Sequence, residues 1–122
     1  MSARIACVTA RGYWIVRVDV RDAEAYKDYA ASNGAAFAEF GGRFLVRGGR
    51  FEAVTGTARA RNVVIEFASY DDALACWKSD SYQAARAKQK GGADADILII
   101  EGYDGEQPSV GIAPEPDNPA SE

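Results

Sequence analysis

Histidine is absent from all 122 residues, and that absence removes more chemistry than any residue present supplies. Without an imidazole there is no side chain that ordinarily titrates near neutrality, no ligand of the commonest zinc type and no usual partner for a serine or cysteine nucleophile. Any reaction must run on Asp, Glu, Tyr, Arg, Lys or Cys, and neither a metal site nor a cofactor is indicated. Cysteine is nearly as scarce. Cys7 and Cys76 lie far apart and read as unpaired thiols of a reducing compartment rather than a disulfide framework. No apolar run approaches the roughly 18 residues of a membrane-spanning helix, and residues 1–12 lack the apolar core of a signal peptide, so a cytoplasmic, non-membrane protein is expected. Positive charge is also in deficit. A formal net charge of −4 repels phosphate backbones, which argues against a nucleic-acid partner.

What is present divides into three segments. Residues 1–11 form a short extension, residues 12–104 carry the periodic patterns of one domain, and residues 105–122 hold all four prolines in a Pro/Glu-rich tail expected to be loosely attached. Within the domain, Tyr13 to Val20 (YWIVRVDV) alternates as a strand, with Trp14, Val16 and Val18 on one face and Tyr13, Ile15, Arg17 and Asp19 on the other. Asp22 is a helix N-cap with Glu24 in the first turn, and the helix runs to Phe40 before Gly41-Gly42 stops it. Arg43 to Arg47 (RFLVR) alternates again. It sets Phe44 and Val46 against Arg43, Leu45 and Arg47, and Gly48-Gly49 then offers a hairpin turn into a return strand over 50–55. Asn62 to Phe67 is a further strand. Ser69 caps a helix that breaks near Ser79-Asp80-Ser81, resumes from Tyr82 to about Lys90 and ends at Gly91-Gly92, and Asp96 to Glu101 is the last strand.

This order is the βαββαβ split motif, an α+β ferredoxin-like fold in which a four-stranded antiparallel sheet carries its helices on one face. The first and third strands are then central. The face under the helices collects Trp14, Val16, Val18, Phe44, Val46, Val63, Ile65 and Phe67. The other face collects Tyr13, Ile15, Arg17, Asp19, Arg43, Leu45, Arg47, Val64 and Glu66, half apolar and half ionic. A sheet face of that kind marks association, and a second copy presenting the same face would close the two sheets into a barrel.

The segments GYWIVRVDV, FGGRFLVRGG, VVIEF, SYDDALACW, SDSYQAAR and ADILIIEG, in that order over about residues 12–102, resemble the domain of unknown function 1330 family within the dimeric α/β barrel superfamily. The resemblance implies a ferredoxin-like fold and a homodimer. The wider superfamily includes cofactor-free monooxygenases, lactone isomerases, aldoxime dehydratases, haem-dependent chlorite dismutases and small-molecule binders. It supplies no reaction for this chain. The missing histidine sets the chain apart from members that hold haem through that residue.

Candidate chemistry lies on the uncovered sheet face. Between residues 43 and 61 there are five arginines and one acid, Glu52. Arginine forks suit carboxylates and enolates, so Arg43 or Arg47 with Arg17 would hold a small anionic metabolite, with Tyr13 alongside for an aromatic one. Glu66, between apolar neighbours on a central strand, is the candidate general base of a cofactor-free isomerase-like or monooxygenase-like step, provided burial raises its pKa. The competing reading is a non-catalytic ligand-binding or assembly module, in which those arginines pair with Glu66 and Asp19 across strands. Tyr26, Tyr29, Tyr82, Trp14 and Trp77 are core or pocket-lining aromatics. Cys76, with no activating base in view, is expected to be a buried, inert thiol.

Overall fold

A computed structural model describes residues 10–108, so expectations for most of the extension and of the tail fall outside the described residues. The elements are β1 (Gly12–Val20), α1 (Ala23–Glu39), β2 (Arg43–Arg47), β3 (Arg61–Phe67), α2 (Tyr70–Lys78), α3 (Asp80–Ala87) and β4 (Ala93–Glu101). All sheet pairings are antiparallel in the order β2-β3-β1-β4, so β1 and β3 are central as the motif requires. No helix among the described residues is long and apolar enough to cross a membrane.

Local chemistry places the helix ends. The Asp22 carboxylate accepts from the N–H groups of Glu24 and Ala25, and Ser69 Oγ accepts from Asp72 N at 3.1 Å. Ser79, held in an extended conformation, ends α2 and caps α3 by accepting from Tyr82 N. The second helix of the split therefore starts at Asp80 rather than Tyr82, and Lys90 and Gly91, both with positive φ, turn the chain into β4. β1 approaches α2 so closely that a Cβ at Gly12 would lie 2.3 Å from the Ser69 carbonyl oxygen.

The core lies between the helices and one sheet face. Trp14 is fully enclosed at its centre, donating Nε1–H to the Ala73 carbonyl at 2.8 Å, with Phe37, Ile65, Phe67 and Tyr82 around it. The Tyr29 and Tyr82 hydroxyls bond each other at 2.8 Å, so neither buried oxygen is left alone. Cys76 is enclosed in the same core. Burial pushes its thiol up to about 12, aided by Glu39, consistent with an inert group.

Two sequence expectations are corrected. Residues 50–55 form no strand; the chain from Gly48 to Ala60 is a long exposed loop. Phe51 and Val54 are three apart and would point to opposite faces of any strand, so RFEAVT has no dry side to bury. The second correction is a register shift in β2. Phe44 faces Ile65 and Val46 faces Val64, leaving Leu45 as the extra residue of a bulge. Beyond it the alternation inverts: Val46 lies opposite Val64 on the uncovered face, and Arg47 lies opposite Val63 on the helix side. Arg47 was expected beside Arg17 and Arg43. The bulge puts it on the other side of the sheet.

Candidate functional site

The uncovered face is built by the β1–β3 and β1–β4 registers. Tyr13 sits between Glu66 and Ile100, Ile15 between Val64 and Leu98, and Arg17 between Asn62 and Asp96. The parity of β4, open from the sequence because every position from 97 to 100 is apolar, is thereby settled. Leu98 and Ile100 face outward, while Ile97 and Ile99 pack on the core.

Three of the predicted site residues meet. Tyr13 Oη donates to Glu66 Oε2 at 3.0 Å, and Arg43 Nε donates to Glu66 Oε1 at 3.1 Å. The Glu66 side chain is only 16% exposed, yet its pKa is lowered. The Arg43 guanidinium is the larger cause and the Tyr13 hydroxyl the second, and together they outweigh desolvation. The same bond raises the Tyr13 pKa, because ionising Tyr13 would set a phenolate against the carboxylate. The expectation of a raised, base-like Glu66 is therefore reversed. Both carboxylate oxygens are engaged, and the group has little appetite for a proton.

Linkage fixes the sign. A depressed folded pKa stabilises the fold above the ordinary glutamate value of 4.5, and that contribution is lost as pH falls through the lowered value. Titration of the Glu66 side chain by carbon-detected NMR should give a midpoint below 4.5 that rises in Arg43→Gln. A wild-type midpoint well above that value would restore the general base.

The remaining predicted residues stand apart. Arg17 lies four positions along β1 from Tyr13, about 13 Å away at strand spacing, and its guanidinium reaches the Thr57 carbonyl at 3.3 Å. Sequence reasoning missed the residue that does pair with Asp19. Arg59, from the β2–β3 loop, donates to Asp19 and Asp96 at 2.9 Å each, and Ala60 N–H donates to Asp19 at 2.8 Å. The loop is thus pinned to the end of the sheet by a clasp that periodicity could not reveal. Glu66 and Asp19 both pair with arginines, as the competing reading has it, but Asp19 takes Arg59 from the loop rather than Arg17, Arg43 or Arg47.

Arg61 was missed as well, although its signal was in the sequence: it shares parity with Val63, Ile65 and Phe67 and so belongs to the helix side. With Arg47 it borders a small cavity of about 40 Å³ beneath α1, walled by Tyr26, Tyr29, Asn33 and Phe44. On the uncovered face, Ile15, Arg17, Asp96 and Leu98 border a shallow groove of about 500 Å³.

A four-stranded antiparallel sheet bearing three helices on one face defines an α+β protein of ferredoxin-like fold. The chain belongs to the family described as domain of unknown function (DUF1330), whose profile matches residues 11–103. Among solved structures, a protein of unknown function from Rhodopseudomonas palustris, RPA0582, is 18% identical with a TM-score of 0.63, over 80% of this chain and 86% of that one. The methylated RPA0582 protein is 16% identical with a TM-score of 0.64, over 82% and 86%. At such identities the likeness speaks for the fold alone. No curated protein matches the chain.

Proposed function

We propose that this protein is a homodimer of the dimeric α/β barrel kind, cytoplasmic and cofactor-free, that binds a small anionic or aromatic metabolite. The single observation that carries the reading is the make-up of the uncovered sheet face. Ile15, Val46, Val64, Leu98 and Ile100 present apolar surface there, while Glu66, Arg43 and Tyr13 neutralise one another within it. A face of outward-pointing apolar side chains with most of its charges internally paired is suited to a self-complementary contact. The surplus of arginines over acids in residues 43–61 supports an anionic ligand.

Binding is favoured over proton-transfer catalysis by Glu66, because a carboxylate held by Arg43 and Tyr13 is a poor base at neutral pH. Sedimentation equilibrium should give twice the 13.1 kDa chain mass, and a panel of small organic acids should include members that raise the melting temperature. A monomer at all concentrations would sink the assembly. No stabilisation by any acid would sink the binding function.

A further inference from the structure

We infer that the ligand's carboxylate is received on the helix side of the sheet, in the cavity beneath α1, by Arg47 and Arg61. This rests on the binding reading above and names its site and ligand class: a small organic acid, held by its carboxylate.

The bulge at Leu45 redirects Arg47. A regular β2 would aim Arg47 at the uncovered face, where Arg43 and Glu66 already pair. The extra residue swings it onto the face of Val63, where its guanidinium carbon lies 4.9 Å from the centroid of the Phe44 ring. Arg61 comes to the same cavity from the start of β3, opposite the buried Val18. Its guanidinium lies across Gly48: a Cβ there would be 2.3 Å from Arg61 Nη1, and φ at Gly48 is +67°, so a side chain is doubly disfavoured. Two guanidinium groups therefore border one hollow, and each arrives there by a local backbone feature.

Among the described residues both groups also lack an acidic partner. The four ion pairs among the described residues use Arg21, Arg43 and Arg59, and none involves Arg47 or Arg61. Arg61 Nε is enclosed and has no hydrogen-bond partner among the described residues, a costly state for a charged donor unless an acceptor joins it. The Tyr29 hydroxyl is committed to Tyr82, which leaves the guanidinium groups, the Tyr26 hydroxyl and Asn33 as the polar groups facing a newcomer. Like charges bordering one cavity without an acid favour an anion over a neutral guest.

Size then selects the class. At about 40 Å³ the hollow is small and opens at its rim, so it takes the head of a ligand rather than the whole of one. A benzene ring needs a cavity on the order of 150 Å³, so a ring cannot enter. The rest of the ligand must lie toward the rim, where Arg47 is exposed.

Titrating the full-length protein with acetate, benzoate and inorganic phosphate at constant ionic strength, and following arginine side-chain N–H signals by NMR, tests this. The expected result is a saturable shift of the Arg61 Nε–H signal and of Asn33 with acetate and benzoate. Arg47→Gln should weaken binding about tenfold or more, while Lys78→Gln, an exposed cation at the end of α2, leaves it unchanged. Because Arg61 packs on Gly48, Asn33→Leu is the second variant, expected to weaken binding without touching either arginine. Saturable shifts confined to Arg17 and the uncovered face would overturn the site but leave the binding function standing. Tighter binding of phosphate than of either carboxylate would overturn the ligand class, and no saturable shift with any of the three would overturn both readings.

Discussion

Trp14→Ala should leave the chain largely unfolded under conditions in which the wild type is native. Trp14 is fully enclosed, and its ring lies 4.9 Å from Tyr82, 5.0 Å from Phe37 and 5.8 Å from Trp77, centroid to centroid. Truncating so large a buried ring costs about 3–5 kcal/mol through lost burial and the cavity left behind. Loss of the Nε1–H bond to the Ala73 carbonyl adds about 1 kcal/mol. Against a total stability of about 5–15 kcal/mol for a domain, that is most of what exists at the lower end. Urea titrations by far-ultraviolet circular dichroism, at one fixed protein concentration, measure the effect without relying on tryptophan emission. Trp14→Phe should recover much of it. Val54→Ala, at a position 86% exposed, should change the stability by no more than about 0.5 kcal/mol. A Trp14→Ala midpoint close to that of Val54→Ala would mean that the helices do not rest on this ring.

The same residue shows why much of the fold was legible. In a central strand flanked on both sides, period-two alternation is enforced by both neighbours, so Trp14, Val16 and Val18 could be assigned to one face without knowing the register. Asp22, Ser69 and the glycine pairs act through their own backbone within a few residues, and their effects too are read locally. β2 is different. It is a five-residue edge strand whose apolar and charged side chains give no penalty large enough to forbid a bulge, and a single inserted residue moves Arg47 across the sheet.

The candidate site divides along the same line. That Tyr13 and Glu66 share a face follows from parity alone, but that they touch depends on the β1–β3 register, which is set by everything between them in the chain. Whether Glu66 is a base or a paired ion turned on whether an arginine sat beside it, a matter of about 3 Å that no alternation pattern carries. Arg59 reaches Asp19 and Asp96 from an irregular loop, where periodicity has nothing to say. Arg61 was within reach of sequence reasoning, since one more residue added to the start of the third strand assigns its side chain to the helix side.

On the proposed assembly, placing a carboxylate on the uncovered face should convert dimer to monomer. Leu98 and Ile100 are 51% and 47% exposed, project outward from β4 and flank Ile15 and Tyr13 across the sheet. In a two-fold contact every substitution is made twice, so its cost enters the dissociation constant doubled. Leu98→Asp removes about 2 kcal/mol of apolar burial per copy. Each introduced carboxylate also loses hydration on association, offset in part by Arg17, which borders the same groove, while Arg59 is committed to Asp19 and Asp96 and Arg43 to Glu66. The apolar loss alone, doubled, weakens the dimer by about 10³-fold. Within one chain the same side chain is half solvated on an edge strand, so a concentration series should show a well-folded monomer with an intact circular dichroism spectrum. Sedimentation velocity separates the outcomes: a wild-type dimer and a Leu98→Asp monomer support the contact. A variant that remains dimeric at the wild-type concentration range would require the two copies to meet through some other surface, and the apolar residues of this face would then need another explanation.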